Sequence, residues 1–382
     1  MTSYQSSSLV ACILISSGVL VLHDRDLPEH QLGRIRRGFP LSHKLELSVV
    51  DQSPVRTGES AGQALRDTIA LAVAVEKLGY QRYWLAEHHS LPNFAGTSPE
   101  ILIGQVAAHT NKIRVGSGGV MLSHYSALKV AENFRMLGAL YPGRIDLGVG
   151  RAPGSDQITA AALSFPGQPR EIRHFPRQVV DLIGFLNNNL EDTHFFSGIT
   201  AGPGEPEVPD VWLLGSRYES ANMAAQLGLP FAYAHFFGIN VEEGPAIVAN
   251  YKQNFQPSER FPEAKVNVGV HVVCAESEEE ALRLSASRNL SRLFNITGRA
   301  NGIPSPEDAA KYIYRADEAA FVKQYQDVCV DGNPQQVKEG LEEISEMYQT
   351  PDLSVVTITH GLSERIRSYE LLGEACGIPP LE

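Results

Sequence analysis

Cysteine is scarce in this chain of 382 residues, which has only four. Cys12, Cys274, Cys329 and Cys376 stand far apart, and no two of them form a Cys-x-x-Cys pair. Zinc sites and disulfide-stapled domains place cysteines in pairs at short spacing, so this distribution indicates neither. We therefore expect a reducing compartment and a cytoplasmic protein.

Long apolar runs are also missing. The longest, residues 9–22, contains two serines and a glycine and is short for a helix that crosses a bilayer. A secretory signal would have basic side chains before its apolar run, and none precedes this one. We expect no membrane association and treat residues 1–43 as an N-terminal extension of unknown role. The formal net charge of -12 argues against a nucleic-acid partner.

A dinucleotide-binding fingerprint is absent as well. The nearest match, GVGRAPG at 148–154, has one residue too many between its last two glycines and a proline where a helix should begin. An open, doubly wound parallel sheet usually carries that fingerprint after its first strand. Its absence disfavours that architecture and any direct binding of a nicotinamide cofactor.

What the chain does have is a regular alternation of short apolar runs and longer segments of helical period, which predicts parallel strands joined by crossover helices. Eight runs qualify as buried strands: 45–51, 82–87, 114–122, 144–150, 211–214, 230–234, 266–274 and 353–359. Eight strands close a barrel. We therefore predict an α/β fold of the (β/α)₈ TIM-barrel class over residues 44–382.

Two segments interrupt the alternation. Residues 191–209 are rich in glycine and proline and are interpreted as a surface insertion. The longer segment, 277–348, lies between the seventh and eighth predicted strands and combines helical pieces with a loop. Because it follows the C-terminal end of a strand, it is placed to cover the barrel mouth, and we predict a mobile lid there.

Functional residues of such a barrel lie at the C-terminal ends of its strands. The second strand ends in Glu87, His88 and His89, three ionisable groups that a buried strand would avoid without a polar site nearby. Alternation along a strand sends His88 to one side and its neighbours to the other, so the three cannot converge on one metal ion. We expect no metal site. The alternative is a histidine that only forms a hydrogen bond within the rim.

The fourth and fifth strands end in groups suited to a phosphate. Arg151 follows the fourth strand, and Ser216, Arg217 and Ser220 follow the fifth, where a helix begins. Guanidinium groups, hydroxyls and the free N–H groups of a helix N-terminus all bind phosphate. Arg173, in the helical segment before the insertion, could add a further positive charge. Alternatively, the arginines pair with surface carboxylates and Ser220 merely caps its helix.

The third strand contains glycines at 116, 118 and 119, which weaken a strand unless another group must come close to its backbone. A flat aromatic ring stacked over Gly118 and Gly119 would explain them. A bulge or close packing of neighbouring elements would explain them equally well.

Four motifs occur in a familiar order and spacing: WLAEHH at 84–89, VGSGGVMLSH at 115–124, GRIDLGVGRAPG at 143–154 and VWLLGS at 211–216. With them the chain resembles the bacterial-luciferase-like flavin monooxygenases, and among these the small single-subunit members. The resemblance covers about residues 44–382.

The resemblance implies a barrel that binds FMN at its C-terminal mouth. In the family, reduced FMN reacts with O₂ to form a flavin hydroperoxide, which attacks a small organic substrate such as an aldehyde or ketone. By position, His88 matches the catalytic histidine and Arg151 and Arg173 match phosphate-binding arginines. Ser216, Arg217 and Ser220 lie where the family binds phosphate, and Gly118-Gly119 matches an unusual cis peptide beneath the flavin ring. The family also implies a homodimer.

From these assignments we expect His88, with an unperturbed pKa near ~6.5, to exchange protons at the reacting centre. Since no nicotinamide fingerprint is present, a separate flavin reductase is expected to supply reduced FMN. Two alternatives stay open: a deazaflavin-dependent dehydrogenase that transfers hydride on the same barrel, and a flavin-binding or partner-subunit protein without chemistry of its own.

Overall fold

The structure is a computed structural model that describes residues 44–151, 156–204, 207–238 and 241–381. The predicted extension 1–43 lies outside the described residues.

Within these ranges the backbone forms nine strands, all paired in parallel. Eight of them close into a barrel, because β6 pairs with β7, β7 with β9 and β9 with β1, which completes the ring begun by β1 to β6. This confirms the predicted (β/α)₈ class. The strands are β1 (Glu46–Asp51), β2 (Arg82–Leu85), β3 (Arg114–Met121), β4 (Ile145–Gly150), β5 (Asp210–Gly215), β6 (Phe231–Ala234), β7 (Val266–Cys274), β8 (Val330–Gly332) and β9 (Asp352–Val356).

The ninth strand, β8, was not predicted. It has three residues and pairs with the C-terminal part of β7, outside the barrel ring. A run of three residues is too short to show a period of two, so the sequence pattern could not reveal it.

Twelve α-helices connect and surround the strands in the described ranges. They are α1 (Ala61–Leu78), α2 (Pro99–His109), α3 (Ala127–Leu140), α4 (Gln157–Ser164), α5 (Phe175–Asn187), α6 (Tyr218–Gln226), α7 (Gly244–Asn254), α8 (Glu278–Ile296), α9 (Pro306–Lys311), α10 (Ala316–Gln326), α11 (Pro334–Tyr348) and α12 (Leu362–Cys376). None of the helices described is long and apolar enough to cross a membrane.

Local signals explain where these helices begin and end. The Ser60 side chain accepts a hydrogen bond from the Gln63 amide at the start of α1, and Gly79 ends that helix in the left-handed conformation, with φ of 95°. At α11, Asn333 and Gln336 form a capping box. Both helices turn an apolar face toward the strands, as their spacing predicts.

Helix α11 corrects one predicted boundary. Its apolar residues Val337 and Leu341 belong to the main core of the barrel, so α11 is the crossover helix that leads into β9. The insertion between the seventh and eighth barrel strands is therefore shorter than the predicted 277–348. It consists of α8, α9, α10 and β8, and we call these elements the insertion below.

The barrel interior is filled below its mouth. The rings of Trp84 and Trp212 meet edge to face at 5.2 Å, and Trp84 Nε1 donates to an Asp146 carboxylate oxygen at 2.9 Å. A Cβ atom on Gly118 would lie 3.0 Å from the Trp84 Cβ atom. The interior is therefore packed, and any ligand has to bind above it, at the C-terminal ends of the strands.

Candidate active site

His88 lies three residues beyond the end of β2, in the loop that follows this strand. Its backbone N–H donates to the Gly96 carbonyl oxygen at 2.8 Å, and its ring stacks on Phe94 with centroids 4.8 Å apart. Both side chains line a cavity of about 600 Å³. That volume suits a small-molecule ligand.

The cavity occupies the C-terminal mouth of the barrel, as the strand-end rule predicts. Besides the loop after β2, its wall includes His271 of β7, Phe236 after β6 and Ile358 after β9. The remaining part of the wall is formed by helix α8 and by Tyr325 of the insertion. The insertion thus contributes to the cover of the mouth, as expected of a lid, whereas its mobility stays a prediction.

The protonation state of His88 differs from the sequence-based expectation. Burial lowers its pKa to about 4, and nearby His89 acts in the same direction, whereas Glu87 opposes the shift. The Nδ1 atom is buried and has no hydrogen-bond partner among the described residues. At neutral pH the ring is therefore neutral, and it presents an unpaired nitrogen beside the cavity.

The neighbours of His88 form a polar cluster of their own, of which His89 also lines the cavity. His89 Nε2 lies 2.7 Å from Glu87 Oε1, which also accepts from the Tyr125 hydroxyl at 2.8 Å. Glu87 Oε2 accepts from the Met121 amide at 2.9 Å. Burial and the Glu87 charge raise the pKa of Tyr125, so its hydroxyl remains a donor. The alternation predicted for the end of β2 is confirmed: Glu87 and His89 interact with each other, and His88 stands apart.

His271 is a cavity residue that the sequence analysis missed. Its Nδ1 lies 3.2 Å from the Val356 carbonyl oxygen, which can only accept, so this nitrogen carries the proton. Burial lowers its pKa well below the usual value, and the charges of Arg288 and Arg292 add to the effect. A histidine inside the apolar run VNVGVHVVC was the one signal that could have revealed it.

Four of the five predicted phosphate groups, all except Arg173, follow the ends of β4 and β5 in the chain. Val149 pairs with Leu213, and Arg151 and Gly215 each lie two residues further along these adjacent strands. Arg151 is half-buried and Arg217 is exposed, and neither side chain forms a hydrogen bond or an ion pair with any described residue. The alternative that they pair with surface carboxylates is therefore wrong for these two arginines.

Helix α6 begins directly at this place. Its N-cap residue is Arg217, whose side chain makes no capping hydrogen bond, so Ser220 is not the cap. Ser220 is buried against the end of β5, since a Cβ atom on Gly215 would lie 2.6 Å from the Ser220 Oγ atom. The bare glycine lets the start of α6, with its free N–H groups, come close to Ser216 and the strand end.

Arg173 lies apart from this group. It belongs to a 3₁₀ turn (Ile172–His174), its side chain is 71% exposed, and it forms an ion pair with Glu171 at 2.9 Å. On the same segment, Arg170 donates to the carbonyl oxygens of Ser123 and Tyr125, which places the segment beside the turn after β3. No described contact joins Arg173 to the other predicted phosphate groups, and its role stays a prediction.

The bond between Gly118 and Gly119 is a cis peptide, as the resemblance implies. Close packing accounts for the glycines around it: a Cβ atom on Gly116 would lie 2.5 Å from the Asp146 carbonyl oxygen, and one on Gly119 would lie 2.7 Å from that of Gly148. The strand pairing with β4 also shifts register here. A stacked flavin ring is not needed to explain these glycines and stays a prediction.

Comparison with known proteins identifies the family of this chain. The family described as luciferase-like monooxygenase matches residues 45–350. The chain belongs to the luciferase-like monooxygenase family. YwcH of Bacillus subtilis is 46% identical over 87% of this chain and 99% of its own length. The N-acetyl-S-alkylcysteine monooxygenase of the same species is 37% identical over 87% and 98%.

Several solved structures have a fold similar to that of this chain. Apo-MsnO8 is 37% identical, with a TM-score of 0.77 over 88% of this chain and 99% of its own. At 18% identity, the oxygenating constituent of 3,6-diketocamphane monooxygenase from Pseudomonas putida, in complex with FMN, has a TM-score of 0.64 over 87% and 97%. An F420-dependent secondary alcohol dehydrogenase, 12% identical, has a TM-score of 0.59 over 87% and 99%. At these last two identities the likeness concerns the fold alone.

Proposed function

We propose that this luciferase-like protein is an FMN-dependent monooxygenase that uses reduced FMN and O₂ to oxygenate a small organic substrate, aldehyde-like or ketone-like. The observation that carries the proposal is the pair of arginines at the ends of adjacent strands, Arg151 and Arg217, whose side chains have no partner among the described residues. They stand at the mouth of the same barrel whose cavity His88 lines.

The residues present fit the phosphate of FMN. A cation without a counter-ion is favoured to bind an anion, and a guanidinium group binds phosphate through two parallel hydrogen bonds. Two such groups, the Ser216 hydroxyl and the uncapped first turn of α6 all follow the ends of β4 and β5, which supports this assignment. Because Arg151 is half-buried, its electrostatic attraction for an anion is stronger than that of an arginine fully exposed to water.

The cavity residues fit an oxygenation by reduced FMN and O₂, which needs a proton acceptor and protection from water. Bound reduced FMN supplies the electrons with which O₂ is activated. His88 is neutral above about pH 4 and holds an unpaired Nδ1 beside the cavity, so at neutral pH it is in the unprotonated form that a general base requires. The insertion and the aromatic side chains Phe94 and Phe236 limit the access of water to this place.

We further propose a separate flavin reductase as the source of reduced FMN, since the sequence has no nicotinamide fingerprint of its own. The cytoplasmic location and the homodimer expected from the sequence stay predictions.

The decisive experiment titrates the full-length protein with FMN and with a deazaflavin, each in both redox states, without oxygen. Oxygen is then admitted to the reduced complex while absorbance is followed. We expect reduced FMN to bind and to be reoxidised with oxygen consumption. Anaerobic substrate turnover with the deazaflavin would instead establish a dehydrogenase. FMN binding without oxygen consumption under any reductant would establish a non-catalytic flavin protein.

Substitution of Arg151 tests the phosphate assignment. Arg151→Ala removes a charge-assisted contact, typically ~1.5–3 kcal/mol, so we expect the Kd for FMN to rise at least about tenfold. Arg66→Ala, on the exposed face of α1, is the matched control and should leave the Kd unchanged. An unaltered FMN affinity in Arg151→Ala would place the phosphate elsewhere.

A further inference from the structure

Helix α8 of the insertion turns an unusual face toward the cavity. Arg288, Ser291, Arg292 and Asn295 follow one another at helical spacing, and all four line the cavity. A helix that packs over a barrel mouth would ordinarily bury apolar side chains on that face. A polar and cationic face at this position therefore needs a partner.

The first arginine on this face already has its partners. Arg288 is buried, and its Nη1 and Nη2 atoms donate to the Asp331 carboxylate at 2.9 and 2.6 Å. Its Nε and Nη2 atoms also donate to the Asn289 side-chain oxygen at 3.1 and 2.9 Å. The charge of Arg288 is thus neutralised within the insertion, and its role is to hold α8 to β8.

The second arginine, Arg292, is not neutralised. Its Nη2 atom donates to the Phe237 carbonyl oxygen at 3.1 Å, and its guanidinium carbon lies 5.0 Å from the centre of the Tyr325 ring. Its Nε atom is buried without a hydrogen-bond partner, and it forms no ion pair with any described residue. One turn further along α8, the buried Oδ1 atom of Asn295 also lacks a partner in the described ranges.

None of the other described ionisable groups of the cavity forms an ion pair with Arg292. His88 and His271 are neutral at neutral pH because burial lowers the pKa of each. The Asp156 carboxylate belongs to the N-cap of α4, where it accepts from the amide and hydroxyl of Thr159 at 2.8 and 3.2 Å. The wall formed by α8 therefore carries one positive charge that faces a cavity large enough for a small molecule.

We propose that the substrate of this enzyme carries an anionic oxygen group, such as a carboxylate, which Arg292 binds while the apolar remainder extends toward His88 and Phe94. A guanidinium group with a free Nε atom offers a carboxylate a second hydrogen bond, and burial strengthens the pairing. The amide and hydroxyl of Asn295 and Ser291 border the same position. This inference rests on the proposed monooxygenase function, whose substrate class it narrows.

The test measures binding and not turnover, so that it does not depend on the flavin chemistry. Calorimetric titration of the full-length protein, with and without oxidised FMN, compares butanoate, hexanoate and octanoate with the corresponding neutral amides. In the wild-type protein we expect at least one carboxylate to bind about tenfold more tightly than its amide. Equal affinities across the whole series would overturn the proposal, and this comparison needs no variant.

Three variants then locate the binding group. Arg292→Gln should abolish the preference for the carboxylate, and Arg292→Lys, which retains the charge, should keep part of it. Arg283→Gln is the matched control, because Arg283 lies on the same helix outside the cavity and pairs with Glu280 and Glu307. A preference that survives in Arg292→Gln would overturn the assignment. Loss of FMN affinity in Arg292→Gln with unchanged carboxylate binding would show that this site holds the flavin phosphate.

If the protein bound no FMN, the proposed function would be wrong, and the titration without FMN would still show whether the cavity prefers a carboxylate to its amide.

Discussion

Two groups of arginines, one at each end of this barrel, are in opposite situations. At the N-terminal ends of the strands, Arg82 and Arg114 share the buried carboxylate of Asp146, and each pairs with a further aspartate two strands away, Asp352 of β9 for Arg82 and Asp210 of β5 for Arg114. At the C-terminal mouth, Arg151, Arg217 and Arg292 have no carboxylate partner among the described residues.

The difference separates structure from function. A buried charge is stable only when it is paired, so Arg82 and Arg114 connect several strands at the N-terminal end and contribute to stability. An unpaired cation next to a cavity costs stability and is useful where an anion is to be bound. Pairing therefore distinguishes the structural arginines, which include Arg288 at the mouth, from the three that are available for ligands.

The largest expected effect concerns the paired end. Asp146→Ala removes the carboxylate that Arg114, Arg82 and Trp84 Nε1 all use, so we expect the free energy of unfolding to fall by about 3–5 kcal/mol. Urea denaturation measures it. Asp308→Ala, which removes an exposed pair with Lys311 that solvent screens, should leave the free energy of unfolding nearly unchanged. Similar losses in both variants would show that the buried pairs of Asp146 stabilise the protein no more than an exposed ion pair does.

The second effect follows from the pKa of His88, which burial lowers to about 4. The unfolded chain, with a histidine pKa near ~6.5, takes up a proton between pH 6.5 and about 4 that the folded chain does not. Stability is therefore fully present above about pH 6.5 and falls through this window, by at most about 3 kcal/mol for this group. His235, with a pKa also of about 4, contributes in the same direction.

His88→Asn should reduce the acid-induced loss of stability, measured by denaturation at pH 7 and pH 4.5, and exposed His109→Asn should not. The same shift means that the wild-type pH profile of kcat/KM has no step near pH 6.5 that depends on His88. A step there that disappears in His88→Asn would contradict the neutral ring.

The third effect concerns the unpaired end. Combined replacement of Arg151 and Arg217 by alanine should raise the Kd for FMN about a hundredfold, since each contact contributes ~1.5 kcal/mol or more. Because neither side chain has a described protein partner, the free energy of unfolding of the flavin-free protein should change by less than about 0.5 kcal/mol. Flavin fluorescence and urea denaturation give the two numbers. A large loss of stability would show that these arginines are structural after all.

The smallest effect is expected at Arg173. Its side chain is 71% exposed and already paired with Glu171, so Arg173→Ala should raise the Kd for FMN by less than about threefold. The FMN titration used for Arg151→Ala applies here too. An effect as large as that of Arg151→Ala would mean that Arg173 leaves Glu171 to bind the phosphate, as the family resemblance implies.

Much of the fold could be predicted from the sequence, because periods of two and 3.6 residues and helix caps are local signals. The eight barrel strands were found with ends displaced by a few residues at most, for example 353–359 against Asp352–Val356. The short strand β8 was missed, and α11 was assigned to the insertion, because helical period alone does not tell which surface a helix covers.

The candidate site was only partly predictable. The strand-end rule selected His88 and Arg151, since chain position along a barrel strand determines which end a residue occupies. It could not select Arg292 or Asn295, which lie on a helix whose polar face would ordinarily be exposed to water. His271 was missed because a buried strand gives no sign of which of its residues faces a cavity.

The sequence by itself determined the barrel, its closure by eight strands, the separation of His88 from Glu87 and His89, and the cationic and hydroxyl residues at the ends of β4 and β5 that we propose for phosphate. These depend on local period and on alternation along a strand. Only the tertiary structure decided that His88 is neutral, that Arg114 is paired while Arg151 is not, and that Arg292 faces the cavity. Burial and pairing are properties of neighbours distant in sequence, and their free energies exist only once the chain has folded.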